Sequence, residues 1–341
     1  MAERIFDMTL AQSVLAGDRL SLSRLLTQVE NNTPEGRTAL IDLFPHTGRA
    51  HLIGVTGAPG TGKSSLVNQL ALHYRRQEQK RVAIVAVDPS SPFTGGAVLG
   101  DRVRMRDLAG DPGVFIRSMA SRGSLGGLAQ ATAAVVQVFD AAGYEVILIE
   151  TVGAGQSEVD IARLAHTTIV VEAPGLGDDI QAIKAGILEI ADILVVNKAD
   201  RPGAENTIKA LRNALELAHP LRHVFQHHGR LEMVEAPTRP AEYNSWIPPL
   251  LATVATEGKG IQDLAEAIGQ HVAHLRQSGD WAARERARLE VEMEALLSEA
   301  LLARFRASLS PEQYDQMVEK VFRREFSPWE AVKLLLNGEK K

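Results

Sequence analysis

Apolar residues along this chain recur at two periods. Near-continuous Val/Ile/Leu runs occupy Leu52–Val55, Val82–Val87, Val114–Ile116, Val146–Ile149, Thr168–Val171 and Ile193–Val196. Runs of that length and composition read as strands buried on both faces, and the stretches between most of them carry helical spacing. Together they predict a doubly wound, mostly parallel α/β sheet with helices on both sides. Ahead of the first strand, Leu10, Val14 and Leu15, then Leu20, Leu22, Leu25 and Leu26, repeat as on helix faces. Asp18 is placed to cap the second of these segments, Thr33-Pro34-Glu35 opens a third, and Pro45 closes it. The tail from about Ile261 onward is again helical, with Ile261, Leu264 and Ile268, then Leu296, Leu297, Leu301 and Leu302, and helix starts at Pro311 and Pro328. Its apolar stripe, joined by Trp281, Phe305, Phe322 and Trp329, exceeds what one lone helix can hide from water. The expected division is a helical extension over 1–48, an α/β domain over 49–260 and a helical arm over 261–341.

Composition narrows the class. Of 341 residues, 45% are hydrophobic and 23% charged, an ordinary balance for a soluble chain, and the net charge of −5 gives no footing for a general polyanion binder. Nucleic acid is therefore not an expected partner. With no cysteine, disulfides and thiolate metal sites are excluded, which suits a reducing compartment. The first residues, MAERIFDMTL, resemble neither a secretory signal nor an Arg-rich transit peptide, and no apolar run approaches the ~20 residues needed to span a bilayer. A cytoplasmic protein with no membrane contact is expected.

The chemistry concentrates at strand ends. After the first strand comes Gly57-Ala58-Pro59-Gly60-Thr61-Gly62-Lys63-Ser64-Ser65, which matches G-x-x-x-x-G-K-[ST] in a strand–loop–helix context. Glycines let the backbone turn its N–H groups inward at a helix N-terminus, forming an anion nest. Lys63 supplies a point charge for the terminal phosphates of a nucleotide, and the Ser64 hydroxyl is a ligand for Mg²⁺. The second strand is followed by a long polar, glycine-rich stretch in which Asp88 and Asp101 are candidate Mg²⁺ ligands or water positioners. The Val146–Ile149 run leads into Glu150-Thr151-Val152-Gly153, where a carboxylate can reach the metal shell and the Gly153 N–H can sense a γ-phosphate. The more familiar first residue of that element is Asp, so Glu150, with its longer side chain, is a departure. The Ile193–Val196 run ends in Asn197-Lys198-Ala199-Asp200; an aspartate there accepts both N1–H and the exocyclic amino group of guanine, which adenine lacks. Val254, Ala255 and Thr256 sit where a backbone N–H meets the guanine carbonyl. GTP, GDP and Mg²⁺ are the ligands expected.

In this order the elements resemble the MeaB/ArgK/MMAA-type GTPases, chaperones of adenosylcobalamin-dependent acyl-CoA mutases. The resemblance is carried by GAPGTGKSS from Gly57, VDPSSPFTGGAVLGDRVRM from Val87, ETVGAGQSE from Glu150, GLGDDIQAIKAGILEIAD from Gly175 and NKAD from Asn197. It implies a P-loop GTPase core that hydrolyses GTP to GDP and phosphate; the intrinsic rate is expected to be slow, since no Gln in the Ras-like position and no cis arginine finger can be assigned. It also implies a C-terminal arm that forms a homodimer, and a mutase partner whose cofactor loading the GTPase gates and which it protects. The segment Ala173–Lys184 is implied to be a switch responsive to that partner, with Lys184 as its catalytic contribution. Val254 departs from the Ser common in relatives; since the contact expected there is from backbone, guanine binding is unaffected. Two other classes share the core, metallochaperone GTPases and P-loop kinases of transport-related proteins. The first usually carries a Cys or His-rich metal motif, which is not visible here. The second needs an acceptor pocket with a catalytic base, which no residue pattern supplies.

Overall fold

The computed structural model describes residues 8–89, 105–108, 110–121, 127–151, 157–175, 188–218, 222–227, 230–235 and 246–337. Three helices come first: α1 (Leu10–Leu15), α2 (Arg19–Glu30) and α3 (Pro34–Leu43). Each starts on a residue that satisfies an orphan N–H. Thr9 closes a capping box with Gln12, Asp18 accepts from Ser21 N at 2.8 Å, and Thr33 accepts from Gly36 N just before Pro34.

Strands β1 (His51–Thr56), β2 (Val82–Pro89), β3 (Val114–Ser121), β4 (Val146–Thr151), β5 (Thr167–Glu172), β6 (Ile193–Asn197) and β9 (Leu250–Thr253) form one parallel sheet in the order β3-β2-β4-β1-β5-β6-β9. The helices linking them are α4 (Lys63–Arg76), α5 (Gly127–Ala141), α6 (Ser157–Leu164) and α7 (Ala204–Ala218), and α8 (Ile261–Ser278) follows β9. Alternate residues of the strands feed two separate cores. Leu52, Val85, Ile147 and Ile149 pack with α1–α3, α5 and α6, while Ile53, Val55, Ile84, Leu148 and Val195 pack with α4 and α8. Burial on both faces explains why the strands read as continuous apolar runs instead of alternating ones.

Three features depart from the sequence reading. Strands β2 and β3 run further than their aliphatic cores, so Asp88 lies within β2 and not in the loop after it. Strand β9 escaped notice because it is four residues long and only half-buried behind Pro248-Pro249. An antiparallel ribbon of β7 (Arg222–His227) and β8 (Arg230–Glu235) stands outside the main sheet, its apolar residues interspersed with charged and polar ones and forming no long aliphatic run.

The chain forms two compact units, Met1–Arg288 and Leu289–Lys341. The first holds the sheet, all helices through α8 and the opening of α9 (Asp280–Ser308). The second holds the rest of α9 with α10 (Pro311–Phe322) and α11 (Pro328–Asn337). Ser310 caps α10 through a second capping box, with Pro311 in the first turn as expected.

Candidate nucleotide site

The site lies beyond the C-terminal ends of β1, β4, β5 and β6, where open parallel sheets bind ligands. Strand β1 runs into the loop Gly57–Gly62, which opens α4 at Lys63. Two glycines are forced by geometry. Gly57 has φ +136° and a Cβ there would stand 2.1 Å from the Val171 carbonyl oxygen; Gly62 has φ +94° and a Cβ would stand 2.4 Å from Asn197 Nδ2. Helix α4 has no side-chain N-cap, so its first amides are left for an external acceptor, the arrangement that binds phosphate. Lys63 is 5% exposed and donates from Nζ to the carbonyls of Gly57 (2.8 Å) and Ala58 (3.0 Å), which folds its charge over the loop. Thr61 is buried and Pro59 and Gly60 are exposed at the tip, while Ser65 is half-buried in the first turn of α4.

Strand β4 brings Glu150 to the same place. The carboxyl is 3% exposed and accepts from Ser64 Oγ at 2.5 Å. A hydroxyl and a carboxylate converging at the N-terminus of α4 are hard oxygen donors, the set that suits Mg²⁺ when phosphate oxygens and water complete the shell. These residues fit the ion. Of the other expected metal residues, Asp88 has its backbone at the end of β2, paired with Ala120, and its side chain lies outside the described residues. Asp101, Gly153 and Lys184 fall outside the described residues altogether.

Asn197, at the end of β6, is the joint between three elements. Its Nδ2 donates to Thr61 O (2.8 Å), and its Oδ1 accepts from Thr253 Oγ1 (3.1 Å) and Ala255 N (3.1 Å). One buried amide thereby sets the phosphate loop, β6 and the Val254–Thr256 turn in register. Thr253 is the member that sequence reasoning missed; it sits in the short β9, which carried no signal. Lys198 takes a left-handed conformation (φ 57°) and donates from Nζ to Gly60 O at 2.6 Å, so its aliphatic stem lies along the phosphate loop. Asp200 stands exposed in the next turn, in the field of Lys259. Val254 and Ala255 are buried at the start of a 3₁₀ turn, and Thr256 is exposed. Gly260 closes this turn with φ +74°, where a Cβ would meet Ala252 O at 2.3 Å.

A parallel sheet whose first strand feeds a lysine-headed helix through a glycine loop, with Asn197-Lys198-Ala199-Asp200 locked beside it, defines a P-loop GTPase. The chain belongs to the family described as methylmalonyl Co-A mutase-associated GTPase MeaB, whose model matches residues 22–310. A Pyrococcus horikoshii protein carrying a provisional GTPase name is 44% identical over 327 residues, 96% of each chain. GTPase ArgK of Escherichia coli is 38% identical over 282 residues, 81% of this chain and 80% of that one. A crystal structure titled LAO/AO transport system kinase superposes with a TM-score of 0.68 at 27% identity, covering 97% of both chains. The protein is accordingly a GTPase, hydrolysing GTP to GDP and phosphate.

Proposed function

We propose that this GTPase serves an adenosylcobalamin-dependent acyl-CoA mutase, gating the loading of its cofactor and protecting it from inactivation. The observation that supports this reading most is the family match, which spans the phosphate loop, Glu150, the Ala173–Lys184 segment and Asn197–Asp200 in one run. In the site itself, Lys63 and the amides from Gly57 to Ser65 hold the phosphates. Ser64 and Glu150, with Asp88 and Asp101, would hold Mg²⁺ and water, and the ion would neutralise charge on the terminal phosphates. Gly153 N–H meets the γ-phosphate. Asp200 selects guanine, Lys198 covers the base, and the Val254–Thr256 backbone meets its carbonyl. Lys184 contributes to hydrolysis when the mutase orders its segment, so the basal rate is slow.

The unit Leu289–Lys341 serves as the self-association device. Leu296, Leu297, Leu301, Leu302, Phe322 and Trp329 are each between 48% and 78% exposed. An apolar set of this size left in water favours a second copy. Light scattering on the intact chain is expected to report a dimer, and a clean monomer at micromolar concentration removes this role.

The test of the chaperone role is cofactor transfer. Apo-mutase is mixed with adenosylcobalamin and this protein carrying either GDP or a non-hydrolysable GTP analogue. Loading, followed by the cobalamin absorbance, is expected to differ between the two nucleotide states. Loading at one rate in both states, and in the absence of this protein, overturns the proposal.

A further inference from the structure

Strand β1 is apolar from Leu52 to Val55 and ends in Thr56; β4 is aliphatic from Val146 to Ile149 and ends in Glu150 and Thr151. Both threonines are 0% exposed, and Thr151 Oγ1 donates to Thr56 Oγ1 at 3.1 Å. Valine has the same shape and no desolvation cost in a place that water does not reach, so two adjacent hydroxyls there call for an explanation beyond packing. Their position supplies one. Thr56 immediately precedes Gly57, the first residue of the phosphate loop, and Thr151 immediately follows Glu150.

Register pairing between β1 and β4 stops one residue earlier, at Val55 and Glu150. Two side-chain links remain there: Ser64, in the first turn of α4, to Glu150, and Thr56 to Thr151 directly between the strand ends, whose backbones otherwise pair with β5 and β2. The first involves oxygens that would meet a metal ion, so its geometry would adjust when nucleotide and metal bind. The second involves no atom expected to meet the nucleotide or the metal.

We infer that Thr56 and Thr151 are positioning residues for GTP hydrolysis, a latch that keeps Glu150 in register with the phosphate loop as the Ser64–Glu150 contact adjusts to nucleotide and metal. Neither hydroxyl touches the nucleotide. The latch acts on the geometry around the γ-phosphate and not on the grip of the loop on the α- and β-phosphates.

The double variant Thr56→Val/Thr151→Val tests this without orphaning either hydroxyl, since replacing both partners of a buried hydrogen bond by groups of the same shape leaves stability nearly unchanged. Its melting temperature and GDP affinity are expected to stay at the wild-type level, affinity within about three-fold, while kcat falls about ten-fold or more and the Mg²⁺ concentration for half-maximal rate rises. Thr151→Ser, which keeps the hydroxyl, is expected to restore most of the rate. A double valine that hydrolyses GTP within about three-fold of wild type overturns the inference, as does a serine variant as slow as Thr151→Val. If the double variant does not fold, the comparison of Thr151→Val with Thr151→Ser decides by the same readouts.

Discussion

At the N-terminal edge of the sheet, opposite the nucleotide, the opening of α9 is fastened by a buried carboxylate, and Arg284→Ala measures that fastening. Arg284 donates to both oxygens of Asp192 at 2.8 Å and, from Nη1, to the carbonyl of His166 at 2.7 Å. The same carboxylate accepts from Thr168 N at 2.8 Å, and His271 Nε2 stands 3.2 Å away without hydrogen-bond alignment. Burial pushes the Asp192 carboxyl up, but the nearby His271 and the bonds and charge of Arg284 outweigh it and hold the group at about 2, against an ordinary 3.8. A carboxylate lowered that far stabilises the fold by roughly 2 kcal/mol at neutral pH. Removing one partner of a fully buried pair costs about 3–5 kcal/mol, but the Arg284 side chain is 37% exposed, so water replaces part of what is lost. We expect Arg284→Ala to lower the unfolding free energy of the sheet-bearing unit by about 2–3 kcal/mol. The sign of the pH dependence follows from the depressed value: the stabilisation is present above the unfolded carboxylate's pKa and is lost as pH falls toward about 2. Urea unfolding at neutral pH should show the full difference between wild type and variant, and at about pH 3 the difference should shrink by a third or more. Arg284→Lys, which keeps the charge without the two-pronged fork, should recover less than half. A difference below about 0.5 kcal/mol at neutral pH, or one that does not shrink in acid, refutes the reasoning.

Other expectations concern the same scaffold. His166 Nδ1 accepts from Leu52 N, so its proton sits on Nε2 facing Glu285, and burial holds its pKa below the ordinary value against the raising effect of Glu285; burial first, then the charges of His166 and His271, lowers His51 further. Both therefore resist protonation in the folded state, and wild-type stability should begin to fall as pH drops below about 6.5, a slope that His51→Gln should lessen in urea titrations. Gly54→Ala puts a methyl 2.5 Å from Ile161 Cγ2 and 3.1 Å from Ala165 Cβ, and should cost about 1–3 kcal/mol, with partial recovery in the double variant carrying Ile161→Ala; no recovery means that α6 is not seated on β1 at this point. Asp200→Asn should lower GTP affinity at least about ten-fold and raise affinity for xanthosine triphosphate, whose C2 oxygen reverses the hydrogen-bond demand; unchanged GTP binding removes Asp200 from the base site.

Much of the nucleotide site was legible because its requirements are local. A glycine loop between a strand and a helix must put its amides at the helix start, and the Asn197–Asp200 turn must follow a buried strand; both are written in contiguous residues. The long aliphatic runs gave six of the seven strands in the main sheet because burial on both faces leaves no polar positions. What was not legible depends on pairing across the fold. Thr253 is an undistinguished residue until β9 brings it to Asn197 Oδ1, and the Thr56–Thr151 contact joins positions 95 apart. The clustered histidines behaved likewise. His51, His166 and His271 carry no motif, and only the topology gathers them against Asp192, Trp281 and the opening of α9.

A GTPase that serves a mutase, as proposed, should turn over GTP in response to it. This is tested most directly by the steady-state GTPase rate of the purified protein with Mg²⁺, alone and with increasing methylmalonyl-CoA mutase. A slow basal rate is expected, rising at least about ten-fold and saturating as the complex forms. A rate that stays flat across the mutase titration, with the two proteins eluting separately from a sizing column, contradicts the proposal.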